Sequence, residues 1–316
     1  HFTEIVMFIA NRWKDYEVID TSNGEKLEYW GDYKLVRPDP QVIWNTKRDK
    51  SWKNINAHYH RSEKGGGNWE FFDLPDVWQI KYNLPEISNP LVFNLKPFSF
   101  KHTGVFPEQA TNWDWMSNLI KNAGRPIKVL NLFAYTGGAT ISCAAAGASV
   151  THVDASKGMV TWAKENAVSS KLGDAPIRWI VDDCVKFVER EIRRGNVYDA
   201  IIMDPPSYGR GPKGEIWKIE EKIFDLIELC SKVLSDNPLF YLINSYTTGL
   251  QSSVMSFMLS TALSHRTGHK IETCSEYPYI YKIDNWKISA DEIGLPITKT
   301  NQFLPCGASC RGEFNK

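Results

Sequence analysis

The chain has 316 residues, enough for a domain of about 200 residues with a full hydrophobic core and a smaller companion. A hydrophobic content of 42% with 23% charged residues is ordinary for a soluble globular protein. The 37 basic residues balance the 37 acidic ones, which excludes gripping a polyanion by net charge; any nucleic-acid surface must come from local clustering.

Residues before Met7 read as an upstream extension, and the apolar run IVMFIA is too short to span a membrane. No basic leader precedes it, so no signal peptide and no membrane contact are expected. Six cysteines, at 143, 184, 230, 274, 306 and 310, lie mostly inside apolar segments and read as reduced intracellular thiols. Only Cys306 and Cys310 are close together, without the second pair a structural zinc site needs, so no metal is expected. The location these features imply is cytoplasmic.

In chain order, DYEVID, the turn-forming Ser22-Asn23-Gly24 and KLEYWGDYKLVR predict a hairpin with Asn-Gly at its tip. The segment TKRDKSWKNINAHYHRSEKGGGNW is polar, ends in three glycines and reads as a loop. VWQIKYNL and PLVFNLKPFSF add two strands rich in aromatic and β-branched residues. Residues 1–100 are therefore expected to form a small β domain that helps present a substrate.

From Ile127 the rhythm alternates. IKVLNLF, VTHVDAS, IRWIVDD, YDAIIMD and LFYLINSY predict strands. Between and after them, GATISCAAAGA, KGMVTWAKENAVSSKLG, CVKFVEREIRRG, EKIFDLIELCSKVL and SSVMSFMLSTALSH predict helices, with stops at Gly173 and Gly195 for the second and third. Strands near 270–276 and 296–305 close the chain. This is an α/β pattern: a Rossmann-like, doubly wound, mostly parallel sheet over residues 101–316. Ligands of such sheets bind beyond the carboxyl ends of the strands, so the turns there carry the chemistry.

The first turn, NLFAYTGGAT, has one adjacent pair, Gly137-Gly138, in place of the three spaced glycines of a dinucleotide site. It suits a carboxylate at the opening of a helix better than a pyrophosphate. The second turn ends its strand on Asp154, an acid suited to both hydroxyls of a ribose, with Ser156 able to cap the next helix instead. In the third turn, Asp182-Asp183, one acid is expected to cap a helix and the other to accept from an adenine amino group. The fourth, Asp204-Pro205-Pro206, ends a strand because proline donates no backbone hydrogen bond, and it also stiffens the chain where a planar substrate must approach. The prolyl carbonyls are expected to point into the pocket, and Tyr208 to stack on a base. The four turns together describe a pocket for a cationic nucleoside with an amino-acid tail and no polyphosphate. Phe133, Tyr135 and Phe106 can add cation–π attraction. S-adenosylmethionine answers that description.

On FKHTGVFPEQ, VLNLFAYTGGAT, VTHVDASKGMVTWAKENA, VDDCVKFV and DAIIMDPPSYGRG the sequence resembles the class I S-adenosylmethionine-dependent methyltransferases. Within them it is most similar to the bacterial large-subunit ribosomal RNA cytosine-C5 group, over roughly residues 90–305. The resemblance implies that Phe133, Tyr135, Thr136 and Gly137, with Asn131 and Ala134 beside them, wrap the methionine portion. It implies that Asp154, with Ala155 and Ser156, holds the ribose, and that Asp183 with Asp182 holds the adenine amino group. Phe106, Pro107, Glu108 and Gln109 would fold over the cofactor. Asp204, Pro205 and Pro206 would line the place where donor and target base meet. S-adenosylhomocysteine would be the product, ribosomal RNA the partner; homodimerisation is left open.

Methylation at carbon 5 of a pyrimidine needs a thiolate, and no cysteine follows the Asp-Pro-Pro. Cys306 in LPCGASCRGE is the remaining candidate, with a buried structural thiol as the alternative. Without a thiolate, transfer would go to nitrogen or oxygen with Asp204 accepting the proton. Residues 47–64 carry six basic side chains against Asp49 and Glu63, interleaved with Trp52, His58, Tyr59 and His60, and read either as a single-strand RNA reader or as a solvated loop. Arg210, Lys213 and Lys218 border the fourth turn. Two alternatives stay open: a methyltransferase for a protein or small molecule, which would lack salt-dependent RNA affinity, and a nicotinamide-dependent oxidoreductase, against which the missing third glycine argues.

Overall fold

The computed structural model describes residues 8–98, 100–211 and 213–315. The expected upstream extension before Met7 lies outside the described residues, as does the first half of IVMFIA. By internal packing the chain divides into two compact units, one of residues 1–111 and 293–306, the other of 112–292 and 307–316. The boundary expected near residue 100 falls later, and 293–306 belongs to the first unit instead of the second. Periodicity marks a strand but does not say which strand it pairs with.

The first unit holds β1 (Phe8–Ile9), β2 (Tyr16–Ser22), β3 (Glu25–Trp30), β4 (Tyr33–Pro38), β5 (Ala57–Arg61), β6 (Gly67–Phe71), β7 (Trp78–Tyr82) and β8 (Leu91–Leu95). β2 and β3 form the expected hairpin, and Asn23 and Gly24 take φ angles of 50° and 79°, the positive values a type I′ turn requires. KLEYWGDYKLVR is two antiparallel strands, because the chain reverses at Gly31. The segment expected as a loop contains β5 and leads into β6, its antiparallel partner. Ala57 and Tyr59 are buried while His60 is exposed and His58 half-buried, so the alternation of a half-buried strand was hidden by polar residues on its outer face. Ile293 and Gly294 pair with Phe8 and Ile9, and Ile297 with Val18.

β2, β3 and β4 carry a buried charge cluster. Arg37 donates from Nε and Nη2 to the two oxygens of the fully buried Glu28, both at 2.7 Å, and the Tyr16 hydroxyl donates to the same carboxylate at 2.5 Å. Lys26 lies 3.8 Å from Glu28 and 3.3 Å from Asp39. Burial pushes the Glu28 carboxyl up, but Arg37 and then Lys26 more than offset it and hold it at about 2.

The second unit begins within α1 (Ala110–Asn122) and continues β9 (Lys128–Leu132), α2 (Gly138–Ala145), β10 (Ser149–Asp154), α3 (Lys157–Ser169), β11 (Ile177–Val181), α4 (Cys184–Arg194) and β12 (Ala200–Met203). Then come β13 (Tyr208–Arg210), β14 (Ile216–Lys218), α5 (Ile219–Ser231), β15 (Phe240–Ser245), α6 (Ser252–Thr267), β16 (Glu272–Thr273), β17 (Tyr281–Ile283), and β18 (Trp286–Ile297) and β19 (Gln302–Phe314), of which residues 293–306 count with the first unit. The strand order β11-β10-β9-β12-β15 is parallel throughout, and residues 308–313 of β19 add an antiparallel strand against β15. β10 and β12 flank β9, which makes β9 the switch point at which the connections change direction. The expected doubly wound sheet is present.

Helix ends follow the local chemistry. Asp183 caps α4, and Gly195 ends it at φ 68°. α3 ends at Ser170, earlier than Gly173, because Lys171 itself takes the left-handed conformation at φ 60°. The strand expected at 270–276 shrinks to Glu272–Thr273. α1 escaped the sequence reading because Asn112, Trp113, Asp114 and Trp115 blur its apolar stripe.

The cluster around Glu28 predicts its own test. Glu28→Gln leaves Arg37 and Lys26 buried without their anion, which should cost about 3–5 kcal/mol of unfolding free energy, measured by urea denaturation. Because the folded pKa lies below the ordinary value of 4.5, the stabilisation is complete above that pH and is lost as the pH falls toward about 2. The Gln variant should lack that acid-side slope.

Candidate functional site

The turn after β9 departs from ordinary backbone geometry. Phe133 and Tyr135 take positive φ angles of 54° and 52°, and Gly137, at 84°, precedes the first residue of α2. Two non-glycine residues in the left-handed region within three positions is a strained arrangement of the kind concentrated at ligand sites. Gly137 also has a packing reason: a Cβ there would lie 2.9 Å from the Ala163 Cβ of α3. The turn is held from below. Ala134 N–H donates to the Val153 carbonyl at 3.0 Å, and Asn166 Nδ2 donates to the Thr136 carbonyl at 2.9 Å. Asn131, expected at the cofactor, is buried and donates to Thr140 Oγ1 at 3.0 Å, which in turn meets His152 Nδ1 at 2.8 Å. Burial pushes the His152 imidazole down to about 3, so this ring is a neutral strut.

Asp154 ties the first three turns together. Its Oδ2 accepts from Tyr135 N–H at 2.9 Å, its Oδ1 from Ser156 N–H at 2.8 Å, and its backbone carbonyl from Asp182 N–H at 3.0 Å. Capping of α3 falls to Ser156, whose hydroxyl accepts from Met159 N–H, so Asp154 has no capping duty. Burial raises the Asp154 carboxyl above its ordinary range, only partly offset by the bonds from Ser156 and Tyr135. In the third turn Asp183 accepts from Lys186 N–H at 2.9 Å, so it is the acid that caps, while Asp182 pairs with Arg190.

The fourth turn leaves β12 beside the first. Met203 pairs in register with Leu132, so Asp204 and Phe133 follow neighbouring strand ends. The Pro206 carbonyl, expected to point into the pocket, instead accepts from Trp217 Nε1 at 2.6 Å. The same indole packs against the Phe133 ring with centroids 5.1 Å apart. Trp217 sits on β14, which pairs with β13 to form a hairpin that the sequence reading missed. Its alternation is only three residues long in each strand, too short for a periodicity signal. Tyr208 opens that hairpin and is exposed, as is Arg210, while Lys218 pairs with Glu221 at 2.9 Å. Ser207 meets Thr247 through their hydroxyls at 2.6 Å.

A second group escaped the sequence reading. At the carboxyl end of β15, Asn244 accepts from Asn112 Nδ2 at 3.1 Å and from Ser309 Oγ at 2.6 Å, and Arg311 donates to Asn112 Oδ1 at 3.0 Å. Burial lowers the Arg311 guanidinium to about 9. Asn112, Asn244 and the Ser309–Arg311 pair come from three distant parts of the sequence, and nothing in their spacing signals the cluster.

Other expected residues fall in the first unit. Pro107, Glu108 and Gln109 form a buried helical turn whose Pro107 carbonyl accepts from Trp13 Nε1 at 2.8 Å, with Phe106 at its start. Cys306 is half-buried and its thiol contacts the Leu304 carbonyl at 3.3 Å. Burial, and then the Glu108 carboxylate, push that thiol well above the ordinary range. In the 47–64 stretch, Arg48 pairs with Glu25 at 2.8 Å and lies 3.9 Å over the Trp52 ring, whose Nε1 donates to Asp20. Tyr59 is buried, 5.4 Å from Trp69 by ring centroid. These three residues serve the fold, so the stretch is neither an open loop nor a row of exposed stacking aromatics.

The hydrogen-bonding groups of the second unit fit the nucleoside described by the sequence. Each Asp154 oxygen takes one backbone bond and so retains a lone pair for one of two vicinal hydroxyls. The opening of α2 has no side-chain cap, as suits a ligand carboxylate.

A family model for S-adenosylmethionine-dependent methyltransferases matches residues 56–279. The SAM-dependent methyltransferase of Agrobacterium tumefaciens, a crystal structure, is 35% identical, superposes with a TM-score of 0.84, and is matched over 99% of this chain and 94% of its own. SMU.776, solved in complex with SAH, shares the fold at 18% identity with a TM-score of 0.67 over 96% of this chain and 76% of its own. The ribosomal RNA large subunit methyltransferase K/L of Pseudoalteromonas atlantica is 31% identical over 197 residues, 62% of this chain but 26% of that protein. The protein of that name from Colwellia psychrerythraea is 26% identical over 67% of this chain and 26% of its own. The chain thus spans about a quarter of the length of these curated relatives. Match, superposition and turn chemistry agree: the chain belongs to the S-adenosylmethionine-dependent methyltransferases, class I enzymes with a Rossmann-like sheet and S-adenosylmethionine as methyl donor.

Proposed function

We propose that the second unit holds S-adenosylmethionine across its first three turns and methylates a base of large-subunit ribosomal RNA beside Asp204. In this reading Phe133, Tyr135, Thr136 and Gly137 surround the methionine portion, with Ala134 contributing backbone. Asp154 accepts from the ribose hydroxyls, with Ala155 and Ser156 alongside, and the Asp182-Asp183 turn receives the adenine. Bound S-adenosylmethionine supplies a methyl group made electrophilic by its sulfonium. The chain supplies position: Asp204 follows β12 next to the first turn, and Trp217 clamps Pro206 and Phe133 together. That clamp is the observation that carries the reading.

The RNA substrate is supported by similarity to proteins named ribosomal RNA large subunit methyltransferase K/L, and by Arg210, Lys213 and Lys218 bordering the Asp-Pro-Pro turn. Carbon 5 of cytosine, expected from the resemblance, calls for a thiolate. Cys306 supports that route poorly, since its burial among carboxylates favours the protonated thiol. Transfer to a base nitrogen needs only a proton acceptor, and Asp204 takes the proton that the nitrogen loses as it gains the methyl group.

Asp154→Asn should weaken S-adenosylmethionine binding by about 10- to 100-fold in calorimetry, the value of charge-assisted bonds to two hydroxyls partly replaced by neutral ones. Trp217→Phe keeps a ring against Phe133 but loses the bond to Pro206. It should lower kcat by about 10-fold while leaving cofactor affinity within a factor of about 2. The deciding assay offers S-adenosylmethionine with a labelled methyl to undermodified ribosomal RNA, bulk protein and a small-molecule extract in parallel. Label should enter RNA, fall by about 100-fold or more in Asp204→Ala, and map by mass spectrometry to a base nitrogen. Label at carbon 5, lost in Cys306→Ser, would overturn the nitrogen assignment. Label only in protein or small molecules would overturn the RNA substrate.

A further inference from the structure

Among the described residues of the first unit, one cluster has donors suited to a metal ion. His58 and His60 are two residues apart on β5, so both side chains stand on the same face. Glu70 on β6 lies directly opposite His58 in the antiparallel register. His60 Nε2 meets a Glu70 oxygen at 2.7 Å, and His58 Nε2 meets a Glu25 oxygen at 2.5 Å. The two imidazoles approach to 3.9 Å between centroids, inside the usual separation of about 4.5–7 Å for ring pairs. One ligand atom each from His58, His60 and Glu70 lie within 4.8 Å of one another.

We propose that His58, His60 and Glu70 form a divalent transition-metal site, with zinc the ion it suits best. Two imidazoles and one carboxylate are the ligand set of an open, three-protein-ligand zinc centre, and an ion at about 2.0–2.2 Å from each donor draws together atoms already within reach. Exchanging the Glu25–His58 contact for the metal leaves no buried anion stranded, because Glu25 is also paired with Arg48 at 2.8 Å. Ordinary surface His–Glu pairs would explain either contact singly, but they give no reason for two imidazoles to crowd together and each present Nε2 to a carboxylate.

The site would cross-link β5 and β6 close to the turn at Gly65-Gly66-Gly67. It would also stand at the rim of a cleft of about 580 Å³ lined by Glu25, Arg48, His60 and Arg61 among others. An ion held by three protein ligands keeps one coordination position for water or an anion. The inference does not depend on the methyltransferase reading, since all these residues lie in the first unit.

The test is titration of zinc into the metal-free full chain by calorimetry, with cobalt as a spectroscopic probe. One ion per chain should bind, and cobalt should show visible ligand-field bands without a thiolate charge-transfer band. His60→Ala, and separately the near-isosteric Glu70→Gln, should each weaken binding by at least about 10-fold. An unchanged thermal melt of the metal-free variants and retained S-adenosylmethionine binding will show that they fold. Absence of binding, binding indifferent to both variants, or a thiolate band that moves the ion to cysteine would each overturn the assignment.

Discussion

One carboxylate organises the strand ends of the second unit. Asp154 accepts a backbone N–H from the turn before it in sequence and another from its own turn, and its peptide carbonyl takes a third from the turn after. Three strand ends that would otherwise be independent loops are thereby held in one arrangement. The constraint also explains a local oddity. Tyr135 is kept in a left-handed conformation that costs a non-glycine residue about 1–2 kcal/mol, and its N–H is the very group Asp154 receives. Strain and its compensation sit one hydrogen bond apart.

The parallel sheet makes such a device necessary. Five strands whose carboxyl ends lie on one edge bring four turns together, yet each turn is attached only to its own strand and helix. Cross-ties supply the missing rigidity. Asp154 joins the first three turns, and Trp217 joins the first to the fourth through the Phe133 ring and the Pro206 carbonyl. Below them, Asn131 donates to Thr140 and Thr140 meets Nδ1 of a neutral His152 in the core, so the turns rest on a polar but uncharged support. In the proposed reading, a flexible nucleoside held in one pose requires this kind of preorganisation.

The first unit solves a different problem with charge. Glu28, Arg37, Lys26 and Asp39 are buried together, and each is paired, so the desolvation of one ion is offset by its neighbours. The same surroundings act on Cys306 in the opposite sense: the nearby carboxylates and burial disfavour its thiolate. A residue that reads as a nucleophile by elimination along the sequence thus turns out to be held in an environment suited to a protonated thiol. Arg48 and Trp52, which read as nucleic-acid contacts, are engaged with Glu25 and Asp20 in the same way.

By itself the sequence determined the alternating strands and helices of the second unit, the Asn-Gly hairpin, and the four turns with their acids, because period, glycine and capping chemistry are local properties. It also determined the cofactor class, since the order of Gly-Gly, Asp, Asp-Asp and Asp-Pro-Pro describes a ligand without needing coordinates. Which acid caps and which pairs was decided only by the tertiary structure, where Asp183 meets the backbone of Lys186 and Asp182 meets Arg190. So was the assignment of 293–306 to the first unit, which depends on strand partners hundreds of residues away. Trp217 and the Asn112–Asn244–Ser309–Arg311 group belong to the same class. Their partners are remote in the chain, and a linear pattern carries no record of which distant side chain completes a hydrogen bond.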